Sequence, residues 1–314
     1  MSLMLLEKLL AICDDDLHSN TKSSHWRSRT SKFRISNNRV IGLSGFSSRT
    51  KRIPFLSPFL HAVLQAINFP DFGRAFSSKY YRIVDSSCRK QSRSLDNCAY
   101  RHVCTFLLLD DLLDLSRINT IVIIGDGQAN FALPALESTF FHKVISVNLP
   151  EILISDLELL KLAGIPDSKM SVCVTSGEVN TFLNDPSANF CMVPAGCSDI
   201  LYNKPIDLFV NMASFGEMTN DSIAKYFSII KSSLNSAYLY CCNRMYKKLE
   251  GCEITRFNDY PWGGELNILV DEECPWHKHF YTTRSFGFLP IPQIFRPYDG
   301  QIWHRLVQYP PNIP

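Results

Sequence analysis

The sequence predicts an α/β protein built on an open, mostly parallel sheet, and three observations carry that prediction. Ile121, Val122, Ile123 and Ile124 form an apolar run that is too short for a buried helix and β-branched enough for a buried strand. Gly125-Asp126-Gly127 follows at once, and a helical pattern (Phe131, Leu133, Ala135, Leu136) follows that. Strand and helix signals then alternate to about residue 242, after which short strand signals take over. Alternation of this kind calls for a Rossmann-like sheet with helices on both faces, and the closing strands for an antiparallel edge hairpin. A basic, mainly helical and loop N-terminal cap, residues 1–95, precedes the α/β part, residues 96–314.

Each element has its own warrant. Leu3, Leu6 and Leu10 put an amphipathic helix at the start; Glu7, Lys8 and the acidic triplet Asp14–Asp16 argue against a secretion signal there. Ser19–Lys51 is polar and reads as loop, with a short strand at Arg39–Leu43. Pro54–Ile67 reads as helix, Ser77–Asp96 as a second polar connector, and Asn97–Leu115 as a long helix with Tyr100, Val103, Cys104, Leu107, Leu108 and Leu112 on its buried stripe. Beyond the glycine turn, where Pro134 delays or kinks the helix, strands are expected at His142–Asn148, Asn189–Ala195, Ile206–Met212 and Ala237–Cys242. Helices are expected at Glu151–Ala163, stopped by Gly164, and at Met218–Leu234. Cys252–Phe257, Asn267–Val270 and Gln301–Tyr309 complete the strand signals.

Composition narrows the class. The 314 residues carry a net charge of +2 and eleven scattered cysteines without a CxxC pair, a pattern of reduced thiols rather than of a disulfide framework, and so of a cytoplasmic protein. No apolar run approaches the length that spans a bilayer. The small net charge hides an asymmetry. From Leu17 to Pro70 there is no acidic residue, while Lys22, Arg27, Arg29, Lys32, Arg34, Arg39, Arg49, Lys51 and Arg52 crowd in. Such a stretch is either a solvated arm or a surface for an anionic partner. Nucleic acid ranks last among those partners, because Trp26, Phe33 and Phe46 form no stacking pattern.

Strand, glycine turn and helix together open a nucleotide-binding unit: glycine lets the backbone approach a ligand, and the new helix offers free N–H groups. Taken with Val144–Ile154, with Asp207–Met218 followed by Tyr226-Phe227, and with Tyr238–Met245 and Asn258–Glu265, the chain resembles a class I S-adenosylmethionine-dependent methyltransferase. More narrowly it resembles the sugar O-methyltransferases of surface-polysaccharide biosynthesis. The resemblance spans Tyr100 to Tyr309 and implies S-adenosyl-L-methionine as cofactor and a small-molecule or nucleotide-linked sugar as acceptor. It also implies cofactor contacts from Gly125, Asp126, Gly127, Asn148, Leu149, Ala195, Asn211 and Met212. Two positions depart from the family pattern: Ile123 stands where an acid usually precedes the first glycine, and Asn148 where an acid usually grips the ribose. An asparagine can accept one hydrogen bond and donate another, without charge assistance. Asp126 adds a carboxylate that could face the methionine amine or sulfonium.

Methyl transfer to a hydroxyl calls for a base, and Glu217 and His277 are the candidates; a charge in a first helical turn and a loop histidine are the alternative readings. His277 and His279 could hold a metal only with a carboxylate from elsewhere, Asp271 or Glu273, and no metal is expected. Asp259, Tyr260 and Trp262 form a candidate acceptor site, with the rings as a wall for a sugar face or as plain core packing. The competing function classes are a binding or regulatory protein on a methyltransferase fold that no longer turns over, and a nicotinamide-dependent oxidoreductase. The second lacks both a full GxGxxG and a Tyr-xxx-Lys pair here.

Overall fold

The computed structural model describes residues 3–13, 22–36, 39–44, 71–93, 95–263, 266–280, 283–286, 289–292, 296–297 and 300–312. The helix expected at Pro54–Ile67 lies outside them. Eight strands form the central sheet: β1 (Thr120–Ile124), β2 (Lys143–Asn148), β3 (Met170–Val172), β4 (Phe190–Pro194), β5 (Leu208–Met212), β6 (Ala237–Arg244), β7 (Asn267–Glu273) and β8 (Ile302–Tyr309). Their order is β7-β8-β6-β5-β1-β2-β4-β3. All neighbours from β6 to β3 are parallel, while β8 runs antiparallel to both β6 and β7. This is the Rossmann-like arrangement with an antiparallel edge hairpin. Its topological switch lies at β1, whose neighbours are β2 on one side and β5 on the other. Ligands of open α/β sheets sit outside the carboxyl ends of the strands at such a switch.

Side-chain alternation sorts the strands between two apolar layers. Ile121, Ile123, Val144, Leu208 and Val210 face one core, and Val122, Ile124, Ile145, Val147 and Phe209 the other. β1 and β2 are buried along their whole length, as strands covered by helices on both faces must be. Helices α1 (Leu3–Cys13), α2 (Ser24–Thr30), α3 (Phe72–Ser77), α4 (Lys79–Lys90), α5 (Asn97–Leu113), α6 (Ala132–Glu137), α7 (Pro150–Leu162), α8 (Ser176–Asn184) and α9 (Asn220–Lys231) complete the main elements. Leu5, Leu6 and Leu9 of α1 join the same core as α7 and the first face of the sheet.

Three expectations change. Ser24–Thr30, inside the stretch read as loop, is helical, opened by Ser23 as its N-cap. The stretch Ser77–Asp96, read as a polar connector, contains α4, because Tyr80, Val84, Ser87 and Cys88 recur on one face and bury there. β3 was not anticipated: three residues with only Met170 and Val172 buried give too short a pattern to recognise. The helix stop at Gly164 is as read, with φ of +86° and Ile165 N–H bonded back to the Leu160 carbonyl at 3.0 Å. No helix among the described residues is long and apolar enough to cross a membrane.

Candidate functional site

The carboxyl ends of β1, β2 and β5 open onto one cavity of about 440 Å³. Gly125, Asp126, Gly127, Asn148, Met212, Ser214, Glu217 and His277 line it. A smaller recess of about 70 Å³ adjoins it, sharing Trp26, Gly125, Asn148, Ser214 and Glu217 and adding Val147, Leu149, Ala195, Met218 and Tyr226. Seven of the expected residues therefore meet in the main cavity (Gly125, Asp126, Gly127, Asn148, Met212, Glu217 and His277), and Leu149 and Ala195 border its apolar annex.

The turn after β1 is shaped by the backbone. Gly125 has φ of +72°, and a Cβ there would sit 1.9 Å from Ser214 Oγ. Gly127, Gln128 and Ala129 continue in the left-handed region with φ of 61°, 63° and 50°. Two of the three are not glycine, so the turn holds strain of the sort found at ligand-binding loops. The Asp126 carboxylate folds back onto the following helix, accepting hydrogen bonds from Phe131 N–H at 2.8 Å and Ala132 N–H at 2.8 Å. Burial lifts its pKa to about 6, against the pull of those amides and Arg93. Asp126 thus caps the following helix while also lining the cavity.

Asn148 ends β2 with one half of its amide used. Its Oδ1 accepts from Leu149 N–H at 2.9 Å, while Nδ2 is buried without a hydrogen-bond partner. A buried, unpaired donor at a cavity wall is costly unless a ligand accepts from it.

Asn211, one strand away, is different. Its Nδ2 donates to the Ile124 carbonyl at 3.0 Å, and its Oδ1 accepts from Phe215 N–H at 3.1 Å and Asn243 Nδ2 at 2.8 Å. Asn243 Oδ1 in turn accepts from Gly216 N–H at 3.3 Å. Asn211 lines neither cavity; with Asn243 it fastens the segment from Ala213 to Glu217 beneath the site. Ala213, with φ of +58°, begins that segment.

Glu217 closes the far side. Burial lifts its carboxyl to about 7, although Lys247, Arg244 and Arg29 favour the ionised form. Its Oε1 lies 3.8 Å from His25 Nε2. Burial, with Arg29 and Lys247, lowers the His25 pKa, so the contact favours a neutral imidazole over an ion pair. His25 belongs to α2, which begins at the N-cap Ser23; the Ser23 hydroxyl donates to the Glu217 carbonyl at 2.6 Å, and Lys22 pairs with Glu151 of α7. Part of the acid-free stretch therefore folds over the cavity instead of standing in solvent. His25, Trp26 and Arg29 line it, joined by Arg101, Arg244 and Lys247. Of these, the sequence marked only Arg29, as part of a basic stretch suited to an anionic partner; the further signal was the run His25–Arg29, in which aromatic and basic side chains stand together.

The remaining candidates lie elsewhere. Tyr260 and Trp262 are buried among Phe215, Phe227 and Phe257 in the second core. Trp262 Nε1 donates to the Phe257 carbonyl at 2.9 Å. Asp259 is exposed, 3.6 Å from Arg256. None of the three lines either cavity, so the core-packing reading of the two rings is the one the structure shows. Asp271 is bound by Arg305 at 2.9 Å, and Glu273 lies 3.9 Å from Lys278; neither is offered to His277.

No model of a known protein family matches the chain, and no curated protein sequence matches it. Solved structures do. Similar ones include the O-methyltransferase TomG from Streptomyces achromogenes in complex with SAM, at 11% identity and a TM-score of 0.39 over 80% of this chain and 96% of that one. A S-adenosylmethionine-dependent methyltransferase from Clostridium acetobutylicum matches at 12% identity and a TM-score of 0.39, over 81% and 98% of the two chains. The fold assignment rests on the strand order and register above, not on these likenesses.

Proposed function

We propose that the protein is an S-adenosylmethionine-dependent O-methyltransferase whose acceptor is a small, negatively charged molecule, with a nucleotide-linked or phosphorylated sugar as the leading class. The observation that carries this reading is the meeting of the Gly125 turn, the unpaired Asn148 amide and the raised-pKa Glu217 on one cavity at the topological switch.

The residues present fit the cofactor. Gly125 lets the turn pass at a left-handed φ close against Ser214, where any Cβ would collide with Oγ, and Asn148 Nδ2 offers a buried donor to a ribose oxygen. Val147, Leu149, Ala195 and Tyr226 give the annex an apolar lining suited to a purine. S-adenosylmethionine would supply an electrophilic methyl group on a sulfonium. Glu217 would take the acceptor hydroxyl proton, and a pKa near the working pH suits a general base. Positioning of the two reactants in a site covered by α2 would provide most of the remaining acceleration. Arg29, Arg101, Arg244 and Lys247 give the main cavity a positive lining that favours a phosphate-bearing acceptor.

Incubation with methyl-labelled S-adenosylmethionine and a panel of nucleotide-linked and phosphorylated sugars tests the proposal. The expected result is label in an anionic sugar, with acceptor affinity that falls steeply as salt rises and cofactor affinity that changes less. Binding of S-adenosylmethionine without transfer to any hydroxyl would favour a binding protein that no longer turns over.

A further inference from the structure

At the cavity wall, reached by His277, stands a cluster that the methyl-transfer reading leaves unused. Cys242 lies near the end of β6, and Cys274 and His277 flank the short turn that follows β7, in the order Cys-Pro-Trp-His. All three are buried, the cysteines at 1% and 0% exposure and the histidine at 8%. Cys274 Sγ lies 3.1 Å from His277 Nδ1, Cys242 Sγ lies 3.7 Å from the same nitrogen, and the three ligand atoms fall within 4.8 Å of one another.

We propose that Cys242, Cys274 and His277 bind a zinc ion through two sulfurs and Nδ1. Tetrahedral zinc with Zn–S of about 2.3 Å and Zn–N of about 2.0–2.1 Å requires an S···N separation of roughly 3.5 Å and an S···S separation of roughly 3.8 Å. The two observed S···N distances bracket the first value. A soft, four-coordinate d¹⁰ ion uses all three groups together, each thiol giving its proton to solvent as its sulfur binds.

The topology supplies a reason for such a tie. Cys242 sits in the sheet, paired in register with His304 of β8, whereas Cys274 and His277 sit on the connection that leaves β7. An ion would fasten that connection to the sheet at the place where His277 borders the cavity. Three protein ligands leave a fourth position, which water would fill. The spacing Cys-x-x-His is visible in sequence, but the third ligand lies 32 residues earlier and only the fold reveals it.

The full chain, purified without chelator, tests the proposal by elemental analysis and by titration with zinc and cobalt(II) ions. About one zinc per chain is expected. Cobalt substitution should give the near-ultraviolet thiolate-to-cobalt charge-transfer band and the strong visible bands of a tetrahedral site. Cys274→Ser, Cys242→Ser and His277→Asn should each weaken zinc binding at least tenfold in competition with a chromogenic chelator, whereas Cys252→Ser, at an exposed cysteine, should not. Added zinc should also raise the Tm of the metal-stripped wild-type chain. A folded wild-type chain that takes up neither ion would overturn the proposal, as would uptake that survives all three ligand variants. These readouts involve no methyl transfer, so they stand or fall apart from the proposed activity.

Discussion

The ends of β2 and β5 carry the same residue in opposite states. At Asn148 half of the amide is bonded to the neighbouring backbone and the other half waits, buried, at the cavity wall. At Asn211 every polar atom is engaged, holding the β1 carboxyl end, the Phe215 amide and Asn243 in one network. One region offers a group to a ligand, and the other builds the floor on which the reactive loop rests. Residue type did not separate the two; the count of satisfied hydrogen bonds did.

Substitutions test that division of labour. The heaviest consequence falls on the turn between the two regions. Gly125→Ala forces a Cβ to within 1.9 Å of Ser214 Oγ at a left-handed backbone position, so S-adenosylhomocysteine affinity should fall by roughly a hundredfold or more. Titration calorimetry reads it directly. Asn211→Leu comes next. It strips the acceptor from Phe215 N–H and Asn243 Nδ2, and should cost roughly 2–4 kcal/mol of stability in denaturant unfolding. An Asn211 variant of full stability that loses only cofactor affinity would move this residue from the floor to the binding set.

Glu217→Gln keeps the shape and removes the charge. Turnover should fall by roughly a hundredfold while both ligands still bind. The wild-type rate should rise with pH through about 7 as the carboxyl ionises, and that limb should vanish in the variant. Stability moves the other way. The Glu217 pKa is raised in the fold, so its contribution is fully present below the ordinary carboxylate range and is lost as pH rises toward 7. Glu217→Gln should flatten that slope in thermal unfolding. His277→Asn is a poor rival as a base: burial, with Arg101 and His102, drives its pKa down, and its Nδ1 faces two sulfurs. The smallest effect belongs to Asn148→Asp. An aspartate keeps the acceptor for Leu149 N–H but removes the buried Nδ2 donor, so cofactor binding should weaken by roughly 1 kcal/mol. Tighter binding would mean that the ribose needs an acceptor here rather than the amide donor.

Much of the frame was legible in the sequence because buried parallel strands announce themselves as apolar runs: Ile121–Ile124 and Val144–Val147 need little context. The turn at Gly125 and the position of Glu217 past β5 followed from the same frame. What stayed hidden depends on contacts between distant segments. An acid-free stretch gives no clue that Ser23–Arg29 docks over Glu217, since charge fixes neither register nor direction. Tyr260 and Trp262 have the same composition on a sugar wall or in a core, and only the packing against Phe215 and Phe227 decides. Asp126 beside a glycine turn reads as a ligand contact, and only the fold shows that it also caps the next helix through the amides of Phe131 and Ala132.

The most direct test of the central claim is calorimetric titration of the wild-type chain with S-adenosylhomocysteine, alongside Gly125→Ala and with NAD as a comparison ligand. The account predicts one site per chain for S-adenosylhomocysteine, its loss in Gly125→Ala, and no binding of NAD. Absence of S-adenosylhomocysteine binding to the folded wild-type chain, or equal binding by Gly125→Ala, would contradict it.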